Sequence, residues 1–140
     1  MFFFALCIFS ECHIIMYKYA LTGYVKPYVR HARLLTTLST DGQGVTGVAE
    51  LDSNVYLVTY KSNRIVDYVP EPAYVHLNDI LVGPMKDPWD MASRLTTGHL
   101  YIADRSGECL WLVKTGQAPT VVKWACNVGH PLSLSVLKDD

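Results

Sequence analysis

The feature that most constrains this chain is a stretch that occurs twice. Leu100-Tyr101-Ile102-Ala103-Asp104-Arg105-Ser106-Gly107-Glu108-Cys109-Leu110-Trp111-Leu112-Val113 repeats the pattern of Val55-Tyr56-Leu57-Val58-Thr59-Tyr60-Lys61-Ser62-Asn63-Arg64-Ile65-Val66-Asp67-Tyr68 without a gap. Tyr56 falls on Tyr101 and Ile65 on Leu110, an offset of 45 residues (101 − 56 = 45). Each copy reads as a short strand, a polar turn and a second short strand, with β-branched and aromatic residues on both sides of the turn. Self-similarity at a period of roughly 40 to 50 residues marks an array of units, none of which can bury its apolar faces alone.

Read in order, the chain fits two such units. Arg33–Leu38 reads as a strand closed by the loop Ser39–Gly44. Val45–Leu51 opens the first unit with small apolar residues, and the first hairpin follows. Pro70-Glu71-Pro72 then breaks the ladder before an outer strand near Tyr74–Val82. After the linker Gly83–Asp87, the second unit runs from Pro88–Ser93 through the turn Thr96-Thr97-Gly98 and the second hairpin to an outer strand at Thr120–Trp124. Pro131–Val136 lines up with Pro88–Ser93 (131 − 88 = 43) and reads as the opening of a third unit.

This layout predicts an all-β chain, a β-propeller fragment over residues 31–140. It would hold two complete four-stranded blades, a stray outer strand before them and a stray inner strand after them. Closed propellers use roughly 4 to 8 blades. Two blades leave two open sheet faces, so the chain is expected to self-associate when expressed alone.

Residues 1–30 are apolar and aromatic without a clean period, and Met16–Leu21 fits a strand or a short helix equally. The run Phe2–Phe9 is too short for a hydrocarbon core that needs about 20 residues. It has the length of a signal peptide, but no basic residue precedes it and no small-x-small cleavage site follows. A signal-like segment, which would imply secretion, and a displaced start both remain open, and the compartment stays unassigned.

The formal net charge of −1 gives no reason to expect nucleic acid or an anionic membrane surface as partner, though it leaves room for a local basic patch. Four cysteines, Cys7, Cys12, Cys109 and Cys126, form neither a dense disulfide framework nor paired metal-binding knuckles. Buried or idle thiols are the favoured reading; a Cys109–Cys126 bridge inside one unit is geometrically conceivable.

Tyr56-Leu57-Val58-Thr59 followed by Asn63-Arg64-Ile65 resembles the hairpin of NHL-repeat propellers. The second copy keeps Leu100–Asp104 but has Glu108-Cys109-Leu110 in place of the Asn-Arg-Ile triplet, so it looks like a degenerate blade. The resemblance covers roughly residues 33 to 140. It implies a propeller, usually six-bladed, that serves mostly as a protein- or RNA-binding platform. No RING or B-box metal spacing is present in the sequence.

Three candidate sites follow. Gly42-Gln43-Gly44-Val45-Thr46-Gly47 matches a dinucleotide-binding pattern, with Asp67 20 residues further on (67 − 47 = 20). That chemistry needs a helix directly after the glycines, and the residues there read as β, so no cofactor is expected. Asp87, Asp90 and Asp104 could share a divalent cation near a channel mouth, as in a hydrolase or lyase propeller. The plainer reading makes them loop and turn acceptors for backbone N–H groups. Lys61, Arg64, Lys86, Trp89 and Arg105 fall in or next to loops that a propeller brings to one rim. The leading expectation is a non-enzymatic binding module that meets another protein through these loops. A metal-dependent hydrolase fragment is the alternative, and RNA binding the third reading.

Overall fold

A computed structural model describes residues 2–8, 11–18, 33–39, 44–59, 64–69, 75–81 and 83–137. These residues form eleven β-strands and no helix, so among the described residues no helix is long and apolar enough to cross a membrane. In chain order they are β1 (Phe2–Ile8), β2 (Glu11–Lys18), β3 (Arg33–Ser39), β4 (Val45–Leu51), β5 (Asn54–Thr59) and β6 (Arg64–Val69). β7 (Val75–Leu81), β8 (Pro88–Arg94), β9 (His99–Asp104), β10 (Cys109–Lys114) and β11 (Thr120–Cys126) follow.

The strands make three antiparallel meanders, β1-β2-β3, β4-β5-β6-β7 and β8-β9-β10-β11. Consecutive strands pair throughout each one, which is why the sequence shows short strands separated by turn residues. The first strands of the three sheets lie side by side, β1 against β4 and β4 against β8.

Two expectations need correction at the ends. Arg33–Ser39 is not a stray strand, because β3 pairs with β2 and β2 with β1. β1, β2 and β3 therefore make a sheet together, and the strand reading of Met16–Lys18 replaces the helical one. Pro131–Val136 is not a strand. A β-strand needs a neighbour for its N–H and C=O groups, and among the described residues none pairs with this segment.

The middle and last sheets are built on one plan. β4 carries a bulge between Val45 and Gly47, and β8 carries one between Pro88 and Asp90, 43 residues later (88 − 45 = 43). The offset then grows to 45 because the β4–β5 turn is Asp52-Ser53 and the β8–β9 turn is Leu95-Thr96-Thr97-Gly98. Asp52 and Ser53 both take positive φ (50° and 70°), the form that matches the twist of a two-residue hairpin. Gly98 supplies the left-handed residue of the longer turn (φ 65°).

The main core lies between these two sheets. Ala49, Leu51, Tyr56, Val58, Ile65 and Ile80 face Met91, Leu100, Ile102, Trp111 and Val113 in one cluster. Burying each large aliphatic side chain contributes about 1.5–3 kcal/mol. The sheets approach so closely at β4 that a Cβ on Gly47 would lie 2.8 Å from the Met91 nitrogen. Val45, Val55, Leu57 and Val66 are buried on the opposite face of the middle sheet. β5 is thus covered on both sides, which explains its nearly unbroken apolar run.

The corresponding outer face of the last sheet is open. Leu112 stands opposite Val122 and Tyr101 in the ladder, and Trp124 packs edge-on against Tyr101 at 5.1 Å. Trp124 is 60% exposed, whereas Tyr56, the counterpart of Tyr101, is 3% exposed.

Candidate functional site

The residues expected at the rim are brought together in part. Lys86, Trp89 and Arg105 converge with Asp87 and Asp104 where the linker into β8 meets the β9–β10 turn. Arg64 lies elsewhere, on β6, with its guanidinium 2.8 Å from Asp79 of β7. Lys61 lies outside the described residues.

Asp104, the last residue of β9, is the centre of this cluster and is 1% exposed. Its Oδ1 accepts the N–H groups of Asp87 (2.8 Å) and Gly107 (3.1 Å). Its Oδ2 accepts the Lys86 N–H (3.1 Å) and the Trp111 indole N–H (3.3 Å). Four donors on one carboxylate offset the cost of burying its charge. They also lock the linker, the hairpin turn and the core tryptophan to one another. A Cβ on Gly107 would overlap this carboxylate, so the turn requires glycine there.

On that base sits Arg105. Its backbone N–H donates to the Asp87 carbonyl at 2.9 Å, which closes the linker against the turn. Its guanidinium pairs with Asp87 Oδ2 at 2.7 Å and lies 3.8 Å from the centre of the Trp89 ring. Ser106 Oγ donates to the same Asp87 oxygen at 3.1 Å. The stacked cation is held from two sides, and Lys86 is exposed next to it.

Asp87, Asp90 and Asp104 do not meet at one point. Asp104 is filled by N–H donors, Asp87 is paired with Arg105, and Asp90 accepts the Met91 and Leu134 N–H groups, each at 2.8 Å. Among the described residues no group of three or more His, Cys, Asp or Glu could hold a metal ion. Gly44 leads straight into β4, so the helix that a dinucleotide site needs is not there; Gly42 and Gln43 lie outside the described residues.

Several participants carry no motif. His130 Nδ1 lies 3.0 Å from the Arg105 carbonyl, and its Nε2 is 3.6 Å from Glu108. Cys109 and Cys126, directly opposite in the β10–β11 ladder, form a disulfide, so the reading of idle thiols is corrected for this pair. Ladder register, which spacing does not give, puts them within reach.

A second polar cluster centres on Asp67 of β6. Burial pushes its carboxyl above the ordinary carboxylate range, against a hydrogen bond from Asn54 and the positive potential of His76. Burial likewise raises the Tyr56 hydroxyl, opposed by hydrogen bonding with Thr115. An acid inside the apolar run Ile65-Val66-Asp67-Tyr68-Val69 was the signal for this cluster. Comparison with protein-family models finds no match, and no curated protein matches the chain.

Proposed function

We propose that the chain is part of an NHL-like β-propeller and acts as a non-enzymatic binding module for another protein. The observation that carries the reading is the Trp89–Arg105 stack beside the exposed Lys86, fixed on the Asp104 network. A guanidinium and an indole held rigid at a loop cluster lose little side-chain entropy on contact, and both residue types dominate interface hot spots. Successive meanders joined along their first strands support the propeller architecture. A cation-dependent hydrolase draws no such support, since the three aspartates are separately engaged.

The test is an affinity capture with the full chain as bait, run beside a Lys86→Glu, Trp89→Ala double variant of matched circular dichroism. The variant is expected to lose at least one partner that the unaltered chain retains. An identical set of captured proteins would remove this rim as the contact surface.

A further inference from the structure

Cys109 and Cys126 face one another across the last sheet, yet the two ends of their bridge lie in unlike surroundings. Cys109 is 5% exposed and belongs to the main core cluster, with Met91, Ile102 and Trp111. Cys126, the last residue of β11, is exposed.

The piece of ladder that the bridge closes is short. A bulge between Leu110 and Trp111 interrupts β10–β11, and two rungs lie beyond it, Cys109–Cys126 and Leu110–Ala125. The residues that flank the bridge, Glu108 and Asn127, both take positive φ (53° and 61°). Residues other than glycine adopt that form at a cost and keep it where their surroundings hold them.

After the bridge, 127–137 is laid back over the molecule. Val128 donates its N–H to the Glu108 carbonyl at 3.2 Å, and His130 Nδ1 lies 3.0 Å from the Arg105 carbonyl. Leu134 donates its N–H to Asp90 at 2.8 Å, and Leu134–Leu137 wall the recess that Tyr101 and Trp124 also line. Each of these contacts follows the bridge in the chain, so the bridge is the covalent fastener at the root of the segment.

We propose that the Cys109–Cys126 bridge is a site of thiol–disulfide exchange with a dithiol reductant, entered at Cys126, and that opening it releases 127–137 while the core stays in place. A thiolate of the dithiol attacks Cys126 Sγ. The bond between the cysteines breaks, and Cys109 leaves as a thiolate that takes up a proton. The second thiol then attacks the mixed disulfide and sets Cys126 free as a thiol, and the dithiol ends as its own disulfide. Two electrons and two protons pass to the chain. Access selects Cys126 as the sulfur attacked. Cys109 remains as a small apolar side chain in a core that already accommodates it. The site stands whether or not the rim loops contact a partner.

The full 140-residue chain would be treated with 2-mercaptoethanol under native conditions, and the mixed disulfide mapped by mass spectrometry. The adduct is expected on Cys126. After reduction with dithiothreitol, the Val128 and Leu134 amides should exchange hydrogen faster by about tenfold or more, with a smaller change at the buried strand residues Ile102 and Val113. A Cys109→Ala, Cys126→Ala variant retains Cys7 and Cys12. It should show the fast exchange from the outset and no response to dithiothreitol.

A protein carrying a Cys-x-x-Cys dithiol separates the sources of the reductant. Opening by dithiothreitol alone means that small thiols reach Cys126; faster opening by the protein at equal thiol concentration means a protein-borne dithiol. A bridge that resists both until urea unfolds the chain would overturn the proposal. So would an adduct on Cys109, or a rise in exchange at Val128 and Leu134 no larger than in the core.

Discussion

Leu134 donates its backbone N–H to the Asp90 carboxylate at 2.8 Å, and these two residues stand where Met91 and Gly47 stand one unit earlier. Both offsets are 43 residues (134 − 91 = 43 and 90 − 47 = 43). A Cβ on Gly47 would lie 2.8 Å from the Met91 nitrogen, so β4 and β8 approach closely there. The segment after β11 is therefore seated on β8 at the position that β8 takes on β4, although it forms no ladder of its own. Asp90→Ala should release it. The expected result is amide hydrogen exchange at Leu134 faster by about tenfold or more, since a hydrogen bond to a charged group contributes about 1.5–3 kcal/mol. Exchange unchanged at Leu134 would show that other contacts hold the segment.

The open face of the last sheet leads to a second prediction. Val122 and Trp124 are exposed on it, beside a recess of about 320 Å³ lined by Tyr101, Trp124 and residues 134–137. A folded monomer seldom leaves so much contiguous apolar surface in water. The isolated chain should therefore associate in solution, and Trp124→Glu should shift the distribution towards monomer. Light scattering of the two proteins at equal concentration decides it. A chain that is monomeric to begin with removes the expectation.

Gly107→Ala should be strongly destabilising for its size. The added methyl would meet the Asp104 carboxylate, and relief requires giving up part of a four-donor network around a buried charge. Overpacking of this kind costs about 1–3 kcal/mol, read as a lower urea midpoint with an unchanged slope. Gly116→Ala is the comparison. Its Cβ would meet nothing within 4 Å, so its cost comes only from a positive φ of 114°.

The Cys109–Cys126 bridge closes a loop with a sequence separation of 17. In the chain-entropy account a loop of that length stabilises by about 3 kcal/mol. Reductant should lower the thermal midpoint of the unaltered chain and leave a Cys109→Ala, Cys126→Ala variant where it is. An equal midpoint with and without reductant would mean that the bridge carries no stability.

How much of this was legible beforehand depends on how local each feature is. The paired hairpins were visible because Tyr56 and Tyr101 lead strands of the same composition, and period-2 patterning is a local signal. The turn composition Asp52-Ser53-Asn54 marks a reversal between β4 and β5, but Asn54 already belongs to β5, so the two-residue length of the turn depends on the ladder register. The N-terminal sheet was not, since the aromatic run Phe2–Ile8 has no alternation to betray a strand. The third-unit strand failed for a non-local reason: Pro131–Val136 has strand composition but no neighbour among the described residues. At the site, turn acids and rim cations could be named one by one, whereas the Asp104–Trp111 bond and the burial of Asp67 depend on tertiary packing.

Asp67 and Asp79 should give opposite pH dependences of stability, although both lie on one pair of strands. Burial raises Asp67, so between the ordinary carboxylate value and its folded value the native state binds the extra proton. Its contribution is present at low pH and is lost as pH rises through that window. For Asp79, burial pushes upward but is outweighed by the hydrogen bonds and charges of His76 and Arg64, so its carboxyl titrates below the usual range. The Asp79 contribution is present above the ordinary carboxylate value and is lost as pH falls. Asp67→Asn should remove the first dependence alone. The variant should gain stability over the unaltered chain as pH rises from about 4 towards 7, because only the native Asp must ionise in a buried place. Urea midpoints measured across that range decide the point. A difference between the two proteins that stays constant with pH would mean that Asp67 titrates alike in the folded and unfolded chain.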